Sequence, residues 1–392
     1  MNAPIVIVGA GQTAAQAAAS LRQGGFDGGL VIVGDEPHPP YQRPPLSKKH
    51  LAGSFAGERL GLKAETFYTE ARIDLRLGAT ARAIDPRERR LGLADGTRLA
   101  YSRLLLATGS RPRALALPGA GLGGVHRLRT RADVARFQGE LRPGARLAIV
   151  GGGYIGLEVA ATARELGLAV TVIEAADRLL SRVVSPVVSR FFHDLHLTHG
   201  VAIRTGAGVE ALEGDERVTG VRLSTGETLG ADMVLVATGG LPNAELAAEA
   251  GLAVEDGILV DEACRTSAPG IFAAGDVARF PSRRYGRRIR LESVQNAVDG
   301  AKAAAAAMLG ESPLYDPVPW FWSDQYDAKL QIAGLSTGYT HAEVEGDPAS
   351  GSFAVAYRDG GRLLAVDAVN WPRRHMEARR ALAEEPPIAV AP

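Results

Sequence analysis

The chain has 392 residues, 46% of them hydrophobic and 22% charged, with Lys+Arg and Asp+Glu both at 44. That length holds two or three domains, the composition suits an ordinary soluble globular protein, and zero net charge argues against a generic nucleic-acid binder. The single cysteine, Cys264, excludes an internal disulfide framework and any metal or iron–sulfur centre built from four cysteines, so no metal site is expected. No charged-then-apolar leader precedes the first strand and no apolar run reaches ~18 residues, so neither export nor membrane insertion is expected and the reading is a cytoplasmic protein.

In chain order, the first element is the apolar run Ile5–Val8, followed by Gly9, Gly11 and Ala14. A helix is predicted over Ala14–Gln23, turns over Gly24–Gly29, and a second strand over Leu30–Val33 ending at Asp35-Glu36. The run Leu104–Leu106 stops at Ala107-Thr108-Gly109. About 140 residues after the first glycine loop the pattern repeats: Leu147–Val150, then Gly151, Gly153 and Gly156. A helix follows over Gly156–Leu166, capped by Gly167, then a strand over Ala169–Ile173 ending at Glu174. Met233–Val236 again ends in Ala-Thr-Gly, at Gly239, and Gly270–Ala274 runs into Gly275-Asp276. Glu292–Leu309 predicts an Ala-rich helix. From about Pro317 the pattern alternates, with Asp359-Gly360-Gly361 as a hairpin turn between two strand-like runs. The tail Glu384–Pro392, with three prolines, is expected to be poorly ordered.

A strand, a glycine loop, a helix and an acidic residue 20–27 positions on make up a dinucleotide-binding unit. Gly9 and Gly151 allow the tight turn, Gly11 and Gly153 let backbone approach a pyrophosphate, and Ala14 and Gly156 keep helix and strand close. The helix N-terminus supplies N–H donors and partial positive charge. Asp35 or Glu36 would accept from a ribose hydroxyl. Glu174 would accept from a free 2′-hydroxyl and repel a 2′-phosphate, favouring NADH over NADPH, with Arg178 placed to soften that preference. Two such units imply two dinucleotides. The Gly275-Asp276 pair late in the chain suits the ribityl chain of a flavin, and the Glu292–Leu309 helix could aim its N-terminus at the flavin pyrimidine.

The segments Arg43-Pro44-Pro45-Leu46-Ser47-Lys48, Ala107–Pro112, Gly151–Glu158, Gly275-Asp276, Glu292–Ala297 and Trp320-Phe321-Trp322-Ser323-Asp324-Gln325 carry a resemblance over nearly all of residues 3–370. The chain resembles the FAD-dependent, NAD(P)H-linked ferredoxin reductases of bacterial oxygenase systems. That resemblance implies an α/β fold: two Rossmann-like domains, glutathione-reductase-like, and a small α+β C-terminal domain. The expected division is a discontinuous FAD domain, 1–108 and 240–316, an NAD domain, 109–239, and a C-terminal domain, 317–392. By position it implies FAD contacts at Gly11, Ala14, Asp35, Lys48, Ala81, Arg129, Asp276 and Val294, and NAD contacts at Gly153, Ile155, Glu158 and Glu174. Gly9, Glu36, Arg43, Pro44, Thr108, Gly109, Gly151, Tyr154, Gly156, Gly239, Gly275, Glu292 and Trp322 complete the candidate cofactor set. The candidate catalytic residues are Lys48, paired with Glu158 near the flavin, and Trp322, between flavin and partner.

Relatives that work through a disulfide need a cysteine beside the flavin, and Tyr41–Lys48 has none. Electrons are therefore expected to leave through an external carrier, and the resemblance implies that they pass from NADH through FAD, one at a time, to a [2Fe–2S] ferredoxin that feeds a P450 or Rieske oxygenase. Arg279, Arg283, Arg284, Arg287, Arg288 and Arg290 form a candidate docking patch for an acidic ferredoxin. Arg373, Arg374, Arg379 and Arg380 form a second cluster. The alternative readings are a flavin NADH oxidase or quinone reductase, and a non-enzymatic flavin-bound signalling protein.

Overall fold

The computed structural model describes residues 3–388. Two parallel five-stranded sheets repeat one plan. The first runs Ile271–Ala273, Arg103–Leu106, Ile5–Val8, Leu30–Gly34, Ile73–Leu77. The second runs Val125–His126, Met233–Val236, Arg146–Val150, Ala169–Glu174, Ala202–Thr205. In each, the strand that leads into a glycine loop is central, flanked by the strand after its helix and by the strand ending in Ala-Thr-Gly. Past the exposed Arg146, these central strands are buried on both faces, which is why Ile5–Val8 and Leu147–Val150 read as unbroken apolar runs.

The repeat extends to close backbone contacts. Gly9 has φ +110°, and a Cβ there would lie 2.2 Å from the Ala107 carbonyl oxygen; Gly151 has φ +111° and a Cβ would lie 2.4 Å from that of Ala237. No side chain fits either place, so glycine is a steric requirement.

Helix Gln12–Gln23 packs against helix Val294–Met308. Both bury alanines, among them Ala14, Ala17, Ala18, Ala301, Ala304 and Ala305, which lets the two axes approach closely. The chain crosses between the two sheets twice, and the crossing strands Ser110–Pro112 and Gly240–Pro242 pair antiparallel. No helix among the described residues is long and apolar enough to cross a membrane.

The alternating C-terminal region forms an antiparallel sheet in the order Trp320–Gln325, Ala328–Gly334, Arg362–Val369, Ser352–Asp359, His341–Asp347. Its period-2 pattern separates two cores. Phe353, Val355 and Tyr357 join the core of the second parallel sheet and of the segment around Leu46, while Ala354 and Ala356 face helix residues Ala378 and Leu382. That helix, Pro372–Glu384, was not anticipated from the alternation; its buried face is His375, Ala378 and Leu382 at helical spacing. The expectation of a poorly ordered tail is corrected as far as residue 388. Glu385 accepts from Leu363 N–H at 3.1 Å, and Ile388 N–H donates to the Arg283 carbonyl at 2.9 Å. Residues 389–392 of that tail lie outside the described residues.

The C-terminal sheet is tied to the second parallel unit by a buried polar contact. The Tyr357 hydroxyl donates to Asp367 and accepts from Ser185 N–H at 2.9 Å, and Ser185 caps helix Pro186–Thr198. Burial pushes the Asp367 carboxyl up to about 7. The folded chain therefore holds a proton that the unfolded chain releases at about pH 4. The Asp367 contribution to stability is full below that pH and is lost as pH rises through about 7. Asp367→Asn, which keeps the shape but does not ionise, should gain in Tm relative to the parent between about pH 5 and pH 8. A difference that stays flat across that range, followed by thermal melts, would contradict the assignment.

Candidate functional site

Gly11 begins helix Gln12–Gln23 with extended backbone, and a Cβ placed on it meets nothing within 4 Å. Open space thus lies over the helix's unpaired N–H groups. Gly275 closes against the first turn, where a Cβ would strike the Thr13 hydroxyl at 2.3 Å. This brings Asp276 beside the loop from more than 260 residues away. Asp276 Oδ2 accepts from Ser110 Oγ at 2.9 Å and Arg129 Nη2 at 3.2 Å. Arg43 bridges onward, donating to the Arg129 carbonyl at 2.5 Å and to Glu36 Oε1 at 2.7 Å. Tyr41 takes the other Glu36 oxygen at 2.5 Å. Both Glu36 oxygens are therefore engaged, and Asp35 is the exposed carboxylate at the strand end.

Thr108 and Asn243 exchange side chain–backbone bonds of 2.7 and 2.8 Å across the two crossings, with Gly109 and Gly239 at positive φ beside them. Ala81, itself half-buried, starts a mostly exposed strand at a bulge. Val294 opens its helix after the Ser293 cap. Glu292 pairs with Arg290 at 2.5 Å.

The second loop repeats the cradle. Gly153 begins helix Tyr154–Glu165, again with nothing within 4 Å of a Cβ. Ile155 is 47% exposed at its mouth, and Tyr154 packs against Phe321 with the rings tilted and their centroids 4.6 Å apart. Glu174 accepts from Gly152 N–H and Ala176 N–H, both at 2.8 Å, so it braces the loop as well as facing it. Arg178 donates to the carbonyls of Val184 and Ser181 at 2.9 and 2.8 Å, which holds its guanidinium in its own loop.

Three distant segments meet at Glu158. Its Oε2 accepts from Lys48 Nζ and Ser47 Oγ, each at 2.6 Å, and its Oε1 from Ser323 Oγ at 2.8 Å. The Glu158 side chain is 6% exposed and that of Lys48 19%. One turn further along the helix, Thr162 donates to the Ser47 carbonyl at 3.0 Å. Lys48 also donates to the Pro44 carbonyl at 3.3 Å, so the Arg43–Lys48 segment links this cluster to the Arg129–Asp276 cluster. On the strand above, Phe321, Ser323 and Gln325 share one face and Trp320, Trp322 and Asp324 the other. The Trp320 and Trp322 rings lie 5.7 Å apart.

The first arginine cluster is largely engaged. Arg279, Arg283 and Arg290 pair with Glu255, Glu262 and Asp256, Arg284 donates to the Leu382 carbonyl, and Arg288 to that of Val260. In the second cluster, Arg373 and Arg374 pair with Glu377 and Glu345. Arg379 instead lies over the Trp320 ring, 4.9 Å from its centroid, and lines a surface cleft with Trp320, Met376 and Arg380.

Residues 3–301 match the family model "Pyridine nucleotide-disulphide oxidoreductase", and residues 320–391 the model "Reductase C-terminal". The chain belongs to the pyridine nucleotide-disulphide oxidoreductase family. This oxidoreductase is 46% identical to a rhodocoxin reductase of Rhodococcus erythropolis over 98% of its own length and 90% of the relative's. It is 44% identical to the ferredoxin–NAD(+) reductase component of an anthranilate 1,2-dioxygenase system of Burkholderia cepacia, over 97% and 94%. Among solved structures it superposes on a covalent putidaredoxin reductase–putidaredoxin complex with a TM-score of 0.95 at 42% identity, covering 99% of this chain and 94% of that one.

The disulphide in the family's name has no counterpart here. Cys264 is the one cysteine; it is buried, its thiol is pushed up to about 12 by that burial, and its nearest polar partner is the Gly300 carbonyl.

Sequence reasoning missed Ser47, Thr162 and Ser323. The signal for Ser323 was present: strand alternation places it and Gln325 on the inner face, where a polar side chain needs a partner. Removing the cation from this oxidoreductase should leave the Glu158 charge buried with hydroxyl donors alone. Lys48→Met is expected to cost about 3 kcal/mol, and Glu158→Gln in the same chain to recover most of it. Urea unfolding of the two single variants and the double variant measures this, and additive losses would show the pair is not coupled.

Proposed function

We propose that this protein is a ferredoxin reductase that carries FAD, takes electrons from NADH and delivers them to a [2Fe–2S] ferredoxin of a P450 or Rieske oxygenase system. The observation that carries the reading is full-length kinship with reductases of ferredoxin-dependent systems in a chain with no second cysteine. A dithiol relay inside the chain is impossible, so the acceptor is a separate molecule.

The residues present fit the cofactors. The space over Gly11 and the first helix N-terminus suits a pyrophosphate, and the exposed Asp35 a ribose. In this reading FAD is held by the first loop (Gly9, Gly11, Ala14), Asp35, Arg43, Pro44, Lys48, Ala81, Thr108, Gly109, Arg129, Gly275, Asp276, Glu292 and Val294. Glu36 acts by orienting Arg43 and Tyr41. NADH is taken by Gly151, Gly153, Tyr154, Ile155, Gly156, Glu158, Glu174 and Gly239. Bound FAD supplies the exchange between a two-electron hydride donor and a one-electron acceptor. The chain's part is to fix the Lys48 ammonium against Glu158, to exclude water, and to present Trp322 on the outer face of its strand. Sheet membership supports the division into 1–108 with 240–316, 109–239, and 317–392. We place the protein in the cytoplasm, where reduced nicotinamide and ferredoxin meet.

For ferredoxin docking, Arg379 and Arg380 beside Trp320 are better placed than Arg283 and Arg284, whose guanidinium groups already have protein partners; Arg287 remains an exposed outlier of that patch. With NADH, a [2Fe–2S] ferredoxin should be reduced far faster than oxygen. Arg379→Glu with Arg380→Glu should raise the ferredoxin KM about tenfold at low salt, with the gap closing at high salt. Oxygen outpacing every ferredoxin tried would overturn the assignment to this class.

Glu174→Ala should cut the kcat/KM preference for NADH over NADPH about tenfold, about 1.4 kcal/mol. An unchanged ratio in paired steady-state assays would remove Glu174 as the selector.

A further inference from the structure

Behind the Lys48–Glu158 pair runs a line of buried polar side chains that the reaction scheme above does not use. The Tyr326 hydroxyl lies 3.4 Å from His196 Nδ1. His196 Nε2 lies 2.9 Å from Gln325 Oε1, Gln325 Nε2 3.2 Å from Ser323 Oγ, and Ser323 Oγ 2.8 Å from Glu158 Oε1. His196, Gln325 and Ser323 have no exposed surface. The line reaches the exterior at Tyr326, whose ring stacks on the exposed His199 at 3.7 Å.

The hydrogens in this line have one consistent direction. Burial pushes the His196 imidazole down to about 4, so it is neutral and carries a single N–H. The Tyr326 hydroxyl donates to Nδ1, which leaves Nε2–H to donate to Gln325 Oε1. That bond orients the amide, so its NH₂ faces Ser323. Ser323 Oγ, having accepted, donates its own hydrogen to Glu158. Each bond polarises the next, and all of them end on the carboxylate. A primary amide in the middle does not relay a proton without passing through its imidic acid form, so the line transmits orientation rather than protons. It also fixes the strand whose opposite face carries Trp322.

We propose that His196 is a positioning residue: through Gln325 and Ser323 it holds Glu158, and with it the Lys48 ammonium, in the orientation presented to the bound flavin. This rests on the reading that places Lys48 and Glu158 at the flavin. His196 contacts no reacting atom, and its effect is carried by three hydrogen bonds in series.

The test is the two-electron midpoint potential of the flavin in the holoprotein, measured by anaerobic dye equilibration. His196→Phe fills the space but removes the donor. It should lower the equilibrium constant for flavin reduction about fivefold, about 20 mV more negative. Ser323→Ala, which breaks the last bond and leaves His196 in place, should give a similar shift. His196→Gln, which restores an N–H toward Gln325, should return the parent value, a rescue that simple loss of packing would not give. Lys48→Met should shift the potential further than any of them. If His196→Phe fails to fold, Ser323→Ala and Gln325→Leu carry the same comparison. Parent potentials in the His196, Gln325 and Ser323 variants alongside a shifted Lys48→Met would overturn the positioning role alone. An unshifted Lys48→Met would overturn the placement of the pair at the flavin, and the positioning role with it.

Discussion

Glu158 is a carboxylate carried into the protein interior, and a charge there is tolerated only when donors meet it from several sides. The donors come from the Pro44–Lys48 segment and from the strand Trp320–Gln325, while the carboxylate sits on the helix after the second glycine loop. In the chain these come from the connection between the strands Leu30–Gly34 and Ile73–Leu77 of the first parallel unit, from the C-terminal sheet and from the second parallel unit. The ion pair with its hydroxyl donors thus ties the two parallel units to the C-terminal sheet, and its apolar surroundings, from Leu46 to Phe353, form a continuous core. The Tyr357–Asp367–Ser185 contact ties the same sheet to the same unit at a second point.

The two glycine loops start from the same geometry and are made unequal by what the rest of the chain brings to them. The first receives Asp276, Arg129 and the Arg43–Glu36–Tyr41 set, a dense group of polar contacts suited to a permanently held cofactor. The second receives little beyond Glu174, and its mouth is lined by the exposed Ile155 and by Tyr154. In the proposed reading, the site with fewer fixed contacts is the one from which NADH arrives and leaves on every turnover. The strand bearing Trp320 and Trp322 stands where these elements converge, with Ser323 and Gln325 buried on its inner face and both indoles half-buried on the other.

Local signals made much of this legible. Gly9 and Gly151 stand where a side chain would strike backbone, so the loops declare themselves in the sequence. The central strands are uniformly apolar because they are covered on both faces, and the C-terminal strands alternate because their two faces meet different cores. The Lys48–Glu158 pair follows only from the family resemblance that segments such as Arg43–Lys48 and Gly151–Glu158 carry, since nothing local to Lys48 separates it from a solvated lysine. Helix Pro372–Glu384 was missed because three well-spaced buried residues in an arginine-rich stretch make a weak periodic signal.

The sequence by itself determined the two strand–glycine–helix units, the acidic strand ends, the antiparallel C-terminal region and the lack of a redox cysteine pair, because each is written in neighbouring residues or in composition. Tertiary structure alone decided that Glu36 serves Arg43 and Tyr41 while Asp35 stays open, that most of the first arginine cluster is occupied, and that His196, Gln325 and Ser323 line up behind Glu158. Those facts depend on which of many charged and hydroxyl side chains, some neighbours in sequence and others more than a hundred residues apart, the folded chain brings within hydrogen-bond reach, and no local pattern records that choice.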